Sequence, residues 1–257
     1  MLLLLLVRLR LFIIFTIVII KVTSQLIEIL LIFFGLFGGL MLGSIWRRFE
    51  ANQCLNRMLN QTSAREKVER KISTSEKRLE NQQLALSTLT QNQLQSWHEP
   101  SEIFRELAMI SAQTMNVERV GVWLFNENRT QLNCIDLYIK SQHLHIEAEP
   151  LFTHELPKYF DAIQNNRLLV VNDIFEHKDT VELALHYAPI YKIGATLEAA
   201  IWLNNQFIGV ICHEHVSGVR EWTLDEQNFV GSIAALANLT IETYKRRLAE
   251  LALAKQN

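Results

Sequence analysis

Residues 207 to 239 read FIGVICHEHVSGVREWTLDEQNFVGSIAALANL. The first nine are rich in β-branched and aromatic residues, which favours a strand. The preceding strand-like run, residues 195 to 203, is joined to it by Asn204 and Asn205, residue types that suit a two-residue hairpin turn. Thr223 precedes Glu226 by three positions, the spacing of a capping box. The stretch therefore predicts a hairpin followed by a final helix that continues to about residue 254.

The elements before this hairpin follow from the same kind of patterning. Apolar residues at helical spacing predict an amphipathic first helix, and β-branched runs separated by turn residues predict strands. The predictions are a helix over 101 to 115, strands over 119 to 125 and 131 to 139, a helix over 152 to 165, a strand over 168 to 171 and a helix over 179 to 191. This order predicts an α+β fold with a mostly antiparallel central sheet and the first and last helices on one face.

A candidate membrane helix lies near the N-terminus. Residues 26 to 46 carry a single charge, Glu28, and end at Trp46. As a helix they would span about 30 Å, the thickness of the hydrocarbon core. Arg47 and Arg48 follow directly, and a positive flank favours the cytoplasmic side. The rest of the chain is therefore predicted to be cytoplasmic.

The first twenty residues leave two topologies open. They are apolar but interrupted by Arg8 and Arg10, and a signal peptide is disfavoured because a longer apolar run follows at once. A hairpin of two membrane helices is favoured, since it places both positive flanks inside. The alternative is one spanning helix with an interfacial N-terminal segment. Gly35, Gly39 and Gly43 form a stripe that suits helix association, although glycine is also common in membrane helices.

A polar linker follows, and it contains neither glycine nor proline from residue 49 to residue 96. Apolar and uncharged polar residues recur in it with alternating spacings of four and three: Val68, Ile72, Ser75, Leu79, Gln82, Leu86, Leu89 and Gln93. This spacing predicts a parallel dimeric coiled coil with polar interruptions. A solvated helical spacer without a partner is the alternative. Pro100 predicts the end of the helix just before it.

The overall charge and the cysteines exclude some classes of function. The formal net charge is −2, which gives no sign of a nucleic-acid partner. Cys54, Cys134 and Cys212 are far apart, and no CxxC pair occurs. Three isolated cysteines argue against a disulfide framework. Phosphate-binding GxxxxGK[ST], GxSxG and HExxH motifs are absent as well, so no catalytic residue is predicted.

Strand alternation predicts where a small-molecule pocket would lie. On that basis Trp123 shares a face with Asp136 and Tyr138, away from the aliphatic face that suits helices. His213 and His215 share one face of the last strand, and Cys212 and Glu214 share the other. A metal site would need a further ligand such as Asp136 or Glu198, so none is predicted. The candidate ligand-binding residues are Trp123, Asp136, Tyr138, Tyr159, Glu198, His213 and His215. A filled core edge is the alternative.

Two stretches carry a resemblance to a known family. Residues 116 to 138, NVERVGVWLFNENRTQLNCIDLY, resemble the opening of a GAF domain, and residues 207 to 239 resemble its closing part. The resemblance covers about residues 100 to 245. It implies a sensor domain that dimerises through its terminal helices and binds a small ligand, or nothing, on the opposite sheet face. Residues 173 to 194 hold no cysteine for a bilin, and the Asn–Lys–Phe–Asp–Glu motif of cyclic-nucleotide binding is absent, so the cofactor is left unknown.

The resemblance and the apolar leader together predict a membrane-tethered, dimeric GAF sensor of a bacterial inner membrane. The expected parts are an anchor (1 to 48), a coiled-coil linker (49 to 98), the GAF domain (99 to 245) and a helical tail (246 to 257). A separate kinase or cyclase is the expected output partner. Two alternatives stay open. One is an enzyme, either the regulatory half of a truncated kinase or cyclase or a thiol reductase using Cys134 or Cys212. The other is a ligand-free structural anchor.

Overall fold

The computed structural model describes residues 15–16, 19–27, 29, 39–95 and 99–255, and these fall into two compact units, Met1–Ser73 and Thr74–Asn257. The described residues of the first unit are helical. Within the described ranges, none of the helices combines the length and the hydrophobicity needed to cross a bilayer. The predicted span over 26 to 46 includes positions 28 and 30 to 38, and the predicted N-terminal segment includes 1 to 14. These positions lie outside the described residues, so both stay predictions.

From Gly39 onward the described residues form six α-helices, a short 3-10 helix (Lys140–Gln142) and seven strands. The helices are α1 (Gly39–Gln95), α2 (Pro100–Met115), α3 (Pro157–Asn165), α4 (Val181–His186), α5 (Ala188–Tyr191) and α6 (Leu224–Ala254). The strands are β1 (Arg119–Phe125), β2 (Gln131–Ile139), β3 (Leu144–Ile146), β4 (Leu151–Phe152), β5 (Leu168–Val171), β6 (Ile193–Leu203) and β7 (Gln206–Val216). The sheet order is β3-β2-β1-β7-β6-β5, with β4 beside β2. Every pairing is antiparallel, as predicted.

The predicted hairpin and its helix are confirmed. Asn204 and Asn205 both have positive φ, 50° and 62°, which is the backbone of a tight turn that matches the twist of the two strands. At the start of α6, the Glu226 carboxylate accepts a hydrogen bond from the Thr223 backbone N–H at 2.9 Å. This bond satisfies one of the N–H groups that a helix leaves free at its N-terminus.

One face of the sheet, here called the helix-covered face, packs against α2 and α6. The aliphatic side chains that alternation assigns to this face are buried there, among them Val120, Val122 and Leu197. Phe104 of α2 and Phe229 of α6 pack on them from above. The prediction that the first and last helices of the domain cover one face is therefore confirmed.

The opposite face, here called the cleft face, packs against α3, α4 and α5. Trp123, Tyr159 and Val210 belong to its buried cluster. The single helix predicted over 179 to 191 is wrong in detail, because Tyr187 separates two short helices and Pro189 lies in the first turn of the second. Proline has no N–H to continue the preceding helix, so the chain turns there.

A β-bulge decides which side chains of β2 reach each face. The register of β1 on β2 shifts between Val122, which pairs with Asp136, and Trp123, which pairs with Cys134. Ile135 is the extra residue of the bulge. The predicted common face of Trp123, Asp136 and Tyr138 is therefore wrong, since Tyr138 belongs to the cluster under the helices and Trp123 to the opposite one. A one-residue slip exchanges the two faces of a strand.

The second half of the predicted coiled-coil seam is used within the chain. From Thr74 onward α1 packs along the domain, and Gln82 and Leu89 are buried. Arg78 donates two hydrogen bonds to the Asp225 carboxylate, at 2.5 and 3.0 Å. Gln93 donates to the Thr240 hydroxyl at 2.9 Å. For this half the helix is confirmed, but its seam residues Gln82, Leu89 and Gln93 contact the same chain, and a coiled coil is not supported.

The first half of the seam presents its apolar residues outward. Val68 and Ile72 are each about half exposed, and Leu79, near the start of the second half, is exposed as well. The predicted helix is therefore confirmed before Thr74 as well. Pairing of this part of α1 with a second chain stays a prediction.

Candidate functional site

Buried polar side chains occur on both faces of the sheet, and those of the helix-covered face act as packing bridges. His213 is fully buried, with Nε2 2.6 Å from the Ser111 hydroxyl of α2 and Nδ1 3.2 Å from the Leu197 carbonyl oxygen. Burial lowers the pKa of His213 to about 3, so the ring is neutral. His215 lies on the same face, as predicted, and burial and Arg220 lower its pKa as well. His213 thus lies beneath α2, whereas His215 is only partly buried.

Asp136 has a similar bridging role. Its carboxylate lies 2.8 Å from His145 Nδ1 and 3.7 Å from Arg105 of α2. Burial raises the pKa of Asp136, while His145 and Arg105 oppose the shift. Tyr138 is buried beside this group and its hydroxyl lies 3.2 Å from His143 Nδ1. These contacts join β2 to β3 and α2, and they leave no polar atom of Asp136 aimed at an open cavity.

The cleft face holds a buried carboxylate at its centre. Tyr159 of α3 donates a hydrogen bond of 2.5 Å to Glu198, and the Thr196 hydroxyl donates a second one of 3.0 Å. Cys212 of β7 pairs with Glu198 across the strands. Burial raises the pKa of Glu198 to about 7, although the hydrogen bonds from Tyr159 and Thr196 oppose that shift. Glu198 can therefore hold or release a proton near neutral pH.

A buried ion pair lies beside Glu198, two residues further along β7 from Cys212. Arg119 of β1 donates to the Glu214 carboxylate of β7 at 2.6 Å. The Tyr187 hydroxyl donates to Glu214 at 2.9 Å and accepts from Arg119 at 3.2 Å. The Arg119 guanidinium also lies over the Tyr191 ring, 4.2 Å from its centroid. Burial opposes the positive charge, but Glu214 and Tyr187 raise the pKa of Arg119 above its ordinary value.

The two cysteines of the sheet face the same side but are held as thiols. Burial raises the pKa of Cys134 to about 11 and raises that of Cys212 well above its usual range. Besides burial, the negative charges of the neighbouring Glu198 and Glu214 carboxylates raise the pKa of Cys212 further. A thiolate is the reactive form of cysteine, so these environments disfavour nucleophilic chemistry.

An open cleft of about 620 Å³ lies above this polar group, between the segment joining β3 to β4 and the α4–α5 pair. Its apolar lining consists of Ala148, Pro150, Leu151, Leu156, Leu183 and Ile190. Its polar and aromatic lining consists of Glu149, Glu155, His186, Tyr187 and Tyr191. A largely apolar cleft of this size with a few polar groups is typical of small-molecule sites.

Tyr187 connects the cleft to the sheet. Its ring lines the cleft while its hydroxyl is bonded to Glu214 and Arg119 on two adjacent strands. Any molecule that displaces this ring therefore acts on the ion pair beneath it. Three further depressions of the described chain run along α6, either beside α1 or at the turn and strands of the β6 region, and none of the three is lined by Tyr187, Glu198 or Glu214.

The seven residues predicted to bind a ligand are divided between the two faces. Trp123, Tyr159 and Glu198 lie on the cleft face but are buried beneath the cleft lining. The other four, Asp136, Tyr138, His213 and His215, lie on the helix-covered side. None of the seven lines the open cleft, and their binding of a ligand stays a prediction.

Sequence reasoning missed the residues that organise the site. Arg119 opens β1 and Glu214 lies in β7, and both are charged residues inside otherwise apolar strands. One signal was available, because strand alternation places Glu214 on the face opposite His213. A predicted pairing of β1 with β7 would then have placed Arg119 beside Glu214. Among the residues that the structure describes, no group of three His, Cys, Asp or Glu side chains is placed to hold a metal.

Comparison with known proteins identifies the fold. The family model for the GAF domain matches residues 99–241. A search of curated proteins finds no match. Among solved structures, the blue-light absorbing form of the Thermosynechococcus elongatus PixJ GAF domain aligns with a TM-score of 0.53 at 16% identity, covering 65% of this chain and 97% of that one.

Two further solved structures are similar to the same degree. Free methionine-R-sulfoxide reductase from Neisseria meningitidis, in complex with its substrate, has a TM-score of 0.53 at 12% identity, with 65% of this chain and 91% of that one covered. The GAF domain of an Acinetobacter phosphoenolpyruvate-protein phosphotransferase has the same TM-score and identity, with 64% and 95% covered. At these identities the likeness shows the fold alone. On the match of the family model over more than half of its length, the chain belongs to the GAF domain family.

Proposed function

We propose that this chain is a sensor that binds a small molecule in the cleft and passes the signal to its terminal helices. A GAF domain is a sensory or regulatory module of signalling proteins, which sets the class of function. The observation that carries the finer proposal is Tyr187, whose ring lines the cleft while its hydroxyl bonds the buried Arg119–Glu214 pair.

The route from cleft to helices follows the strands. Glu214 lies near the end of β7, and the chain runs from that strand into α6. Arg220, in the connection, donates to the Met115 carbonyl oxygen at the end of α2 and to Glu226 in the first turn of α6. A change at Tyr187 would therefore act on the connection to both terminal helices. Coupling of this kind needs an element with two arrangements, which ligand binding would bias.

Binding ranks ahead of thiol catalysis. One similar structure is named as a methionine sulfoxide reductase, but burial raises the pKa of both Cys134 and Cys212 here. A direct test is sulfoxide reduction by the wild-type chain and by the Cys134→Ser/Cys212→Ser variant. Activity that the double substitution removes would replace the sensor proposal with an enzyme.

The binding proposal is tested with the full chain in a thermal-shift screen of nucleotides, haem, amines and carboxylic acids. A ligand at a hundred times its Kd stabilises the folded state by about 2.7 kcal/mol. We expect a hit whose effect is lost in Ala148→Trp, because an indole at this half-buried lining position fills the cleft. Ala252→Trp, at an exposed site in α6, is the matched control and keeps the effect.

The same hit should alter the terminal helices. Hydrogen exchange in α6 is measured with and without it, in the wild type and in Tyr187→Phe, which keeps the ring but removes the hydroxyl. We expect exchange in α6 to change only in the wild type. A hit that Ala148→Trp leaves unaffected, or a screen without any hit, would remove the support for a cleft-based sensor.

The dimer and the membrane anchor belong to this proposal. Exposed Val68, Ile72 and Leu79 keep heptad spacing on α1, which supports a parallel pair of chains. The test is disulfide trapping of Ile72→Cys in membranes, in a Cys54→Ser background because Cys54 is itself exposed on the same helix. Glu76→Cys, outside the seam, is the control. If Ile72→Cys cross-links no better than Glu76→Cys, the chain is a monomer. Recovery of the chain in the soluble fraction would argue against the anchor.

A further inference from the structure

We infer that the cleft takes a cationic ligand with an apolar or aromatic body, such as an arylalkylamine. This rests on the proposed function, because it names the class of molecule that the cleft would bind. Three properties of the lining carry it: the sign of its charges, its two tyrosine rings and its apolar walls.

Apart from His186, the ionisable side chains that line the cleft are carboxylates and tyrosines, so its fixed charges are negative. Glu149 and Glu155 line it and are both exposed at its mouth, and no lysine or arginine is among the described lining residues. Glu147 precedes the lining segment and adds a further exposed carboxylate. Clefts lined by charges of one sign concentrate ligands of the opposite sign. The mouth therefore attracts a cation and repels a phosphate or carboxylate.

The nearest arginine does not reverse this preference. Arg119 lies beneath Tyr191, but its Nε is bonded to Glu214 at 2.6 Å and an Nη to the Tyr187 hydroxyl at 3.2 Å. The guanidinium is nearly fully buried, and its charge is offset within the pair. An anionic ligand would have to break the pair and leave Glu214 buried without a partner, which is costly.

The tyrosine rings supply a binding surface for the cation. The ring centroids of Tyr187 and Tyr191 are 4.9 Å apart, and both side chains line the cleft. The Arg119 guanidinium covers one face of the Tyr191 ring, 4.2 Å from its centroid, and the ring is still 37% exposed for a ligand to meet. Aromatic faces attract cations within about 6 Å of the ring centroid, most strongly where water is excluded.

The remaining walls favour an apolar body over a small hydrated ion. Leu151, Leu156 and Leu183 line the cleft below the carboxylates. A volume of about 620 Å³ exceeds what a metal ion needs and matches a ligand of drug-like size. An aryl group between these walls, with its amine at the acidic mouth, satisfies both parts of the lining.

The experiment uses three probes that share a fluorescent ring system and differ in charge: dansylcadaverine (cationic), dansylamide (neutral) and dansylglycine (anionic). Binding to the full chain is followed by the blue shift of dansyl emission at low ionic strength. We expect the cationic probe to bind about tenfold more tightly than the anionic one, because each exposed charge contributes only weakly to binding. Added salt should reduce the ratio.

The acidic mouth is tested with Glu149→Gln/Glu155→Gln, in which both side chains keep their size. We expect this variant to reduce the ratio between the cationic and anionic probes to about twofold. Glu127→Gln, at an exposed turn between β1 and β2, is the matched control and leaves it unchanged. Ala148→Trp should weaken all three probes.

Each other outcome overturns the inference in a distinct way. The ligand class is overturned if the anionic or neutral probe binds as tightly as the cationic one and Ala148→Trp weakens that binding. The proposal that the cleft is a sensor site would then still stand. If the Glu149→Gln/Glu155→Gln variant keeps the full preference for the cationic probe, these two carboxylates do not cause the preference. That result also overturns the inference. Absence of binding by all three probes overturns the ligand class, while the broader screen described above decides the sensor proposal separately.

Discussion

The two faces of this sheet are built from the same strands yet use buried polar groups differently. On the helix-covered face, His213 bridges α2 and β6, and Asp136 bridges β2, β3 and α2. On the cleft face, Glu198 and the Arg119–Glu214 pair lie in a row beneath an open cleft. The comparison indicates that the long helices bury the polar groups of one face, whereas the short α4 and α5 helices leave an open cleft above those of the other.

The two faces also keep different protonation states. Burial makes His213 neutral by lowering its pKa to about 3, and it raises the pKa of Glu198 to about 7. In both cases the charged form is the one that burial disfavours. The protein is thus expected to lose the stability that depends on His213 in acid, and the stability that depends on Glu198 as the pH rises to neutral.

The largest expected effect comes from breaking the ion pair of the cleft face. Arg119→Met leaves the Glu214 carboxylate buried and uncompensated, so the free energy of unfolding should fall by about 3–5 kcal/mol. Urea denaturation measures this loss. The double variant Arg119→Met/Glu214→Met should recover most of it, because no unpaired charge remains. The exposed Arg167→Met is the control. A single variant as stable as the wild type would mean that the pair is not buried as described.

A smaller effect is expected from Glu198. The folded state keeps a proton with a pKa of about 7, whereas the unfolded chain releases it near 4.5. The stability that this proton supports is therefore complete below pH 4.5 and is lost as the pH rises to about 7, on the order of 3 kcal/mol in total. Glu198→Gln, which still accepts from Tyr159, should remove this dependence and be the more stable protein at pH 8.

The measurement is the free energy of unfolding of Glu198→Gln minus that of the wild type, from pH 5 to pH 8. Glu127→Gln, whose side chain is exposed, serves as the control. A difference that stays constant over this range would show that Glu198 titrates like an exposed glutamate.

The smallest of the three effects comes from the helix-covered face. The pKa of His213 is about 3 in the folded state against 6.5 in the unfolded chain. Its stabilising contribution is complete above pH 6.5 and is lost as the pH falls, amounting to about 2 kcal/mol at pH 5. His213→Gln should reduce the loss of stability between pH 6.5 and pH 5, which thermal unfolding measures. The exposed His154→Gln should not, and equal sensitivity in both variants would contradict the burial of His213.

The sequence predicted the fold well where the signals are local. The Asn204–Asn205 turn, Thr223 with Glu226, and the apolar spacing of α2 and α6 depend on neighbours within one turn of helix or one hairpin. Such signals survive in the sequence because backbone sterics and hydrogen bonding act between adjacent residues. The family resemblance over residues 100 to 245 agrees with the match over 99–241.

The candidate site was predicted less well, because two tertiary features intervene. The bulge between Val122 and Trp123 moves Asp136 and Tyr138 to the face opposite to that expected. The cleft itself is formed by the segment around Ala148 and by the α4–α5 pair, which are distant in sequence. No periodicity connects such segments, so alternation along single strands could not locate the opening.

The sequence by itself determined the order of the longer strands and helices, the hairpin turn and the face covered by α2 and α6, since each follows from local propensity and apolar spacing. It did not predict β3, β4 or the break between α4 and α5. Only the tertiary structure decided that Arg119 meets Glu214 and Tyr187, and that this group lies below a cleft with an acidic mouth. The reason is physical: a bulge changes register by one residue without an obvious mark in composition. A buried charge, in turn, is stable only where folding brings its partner to it.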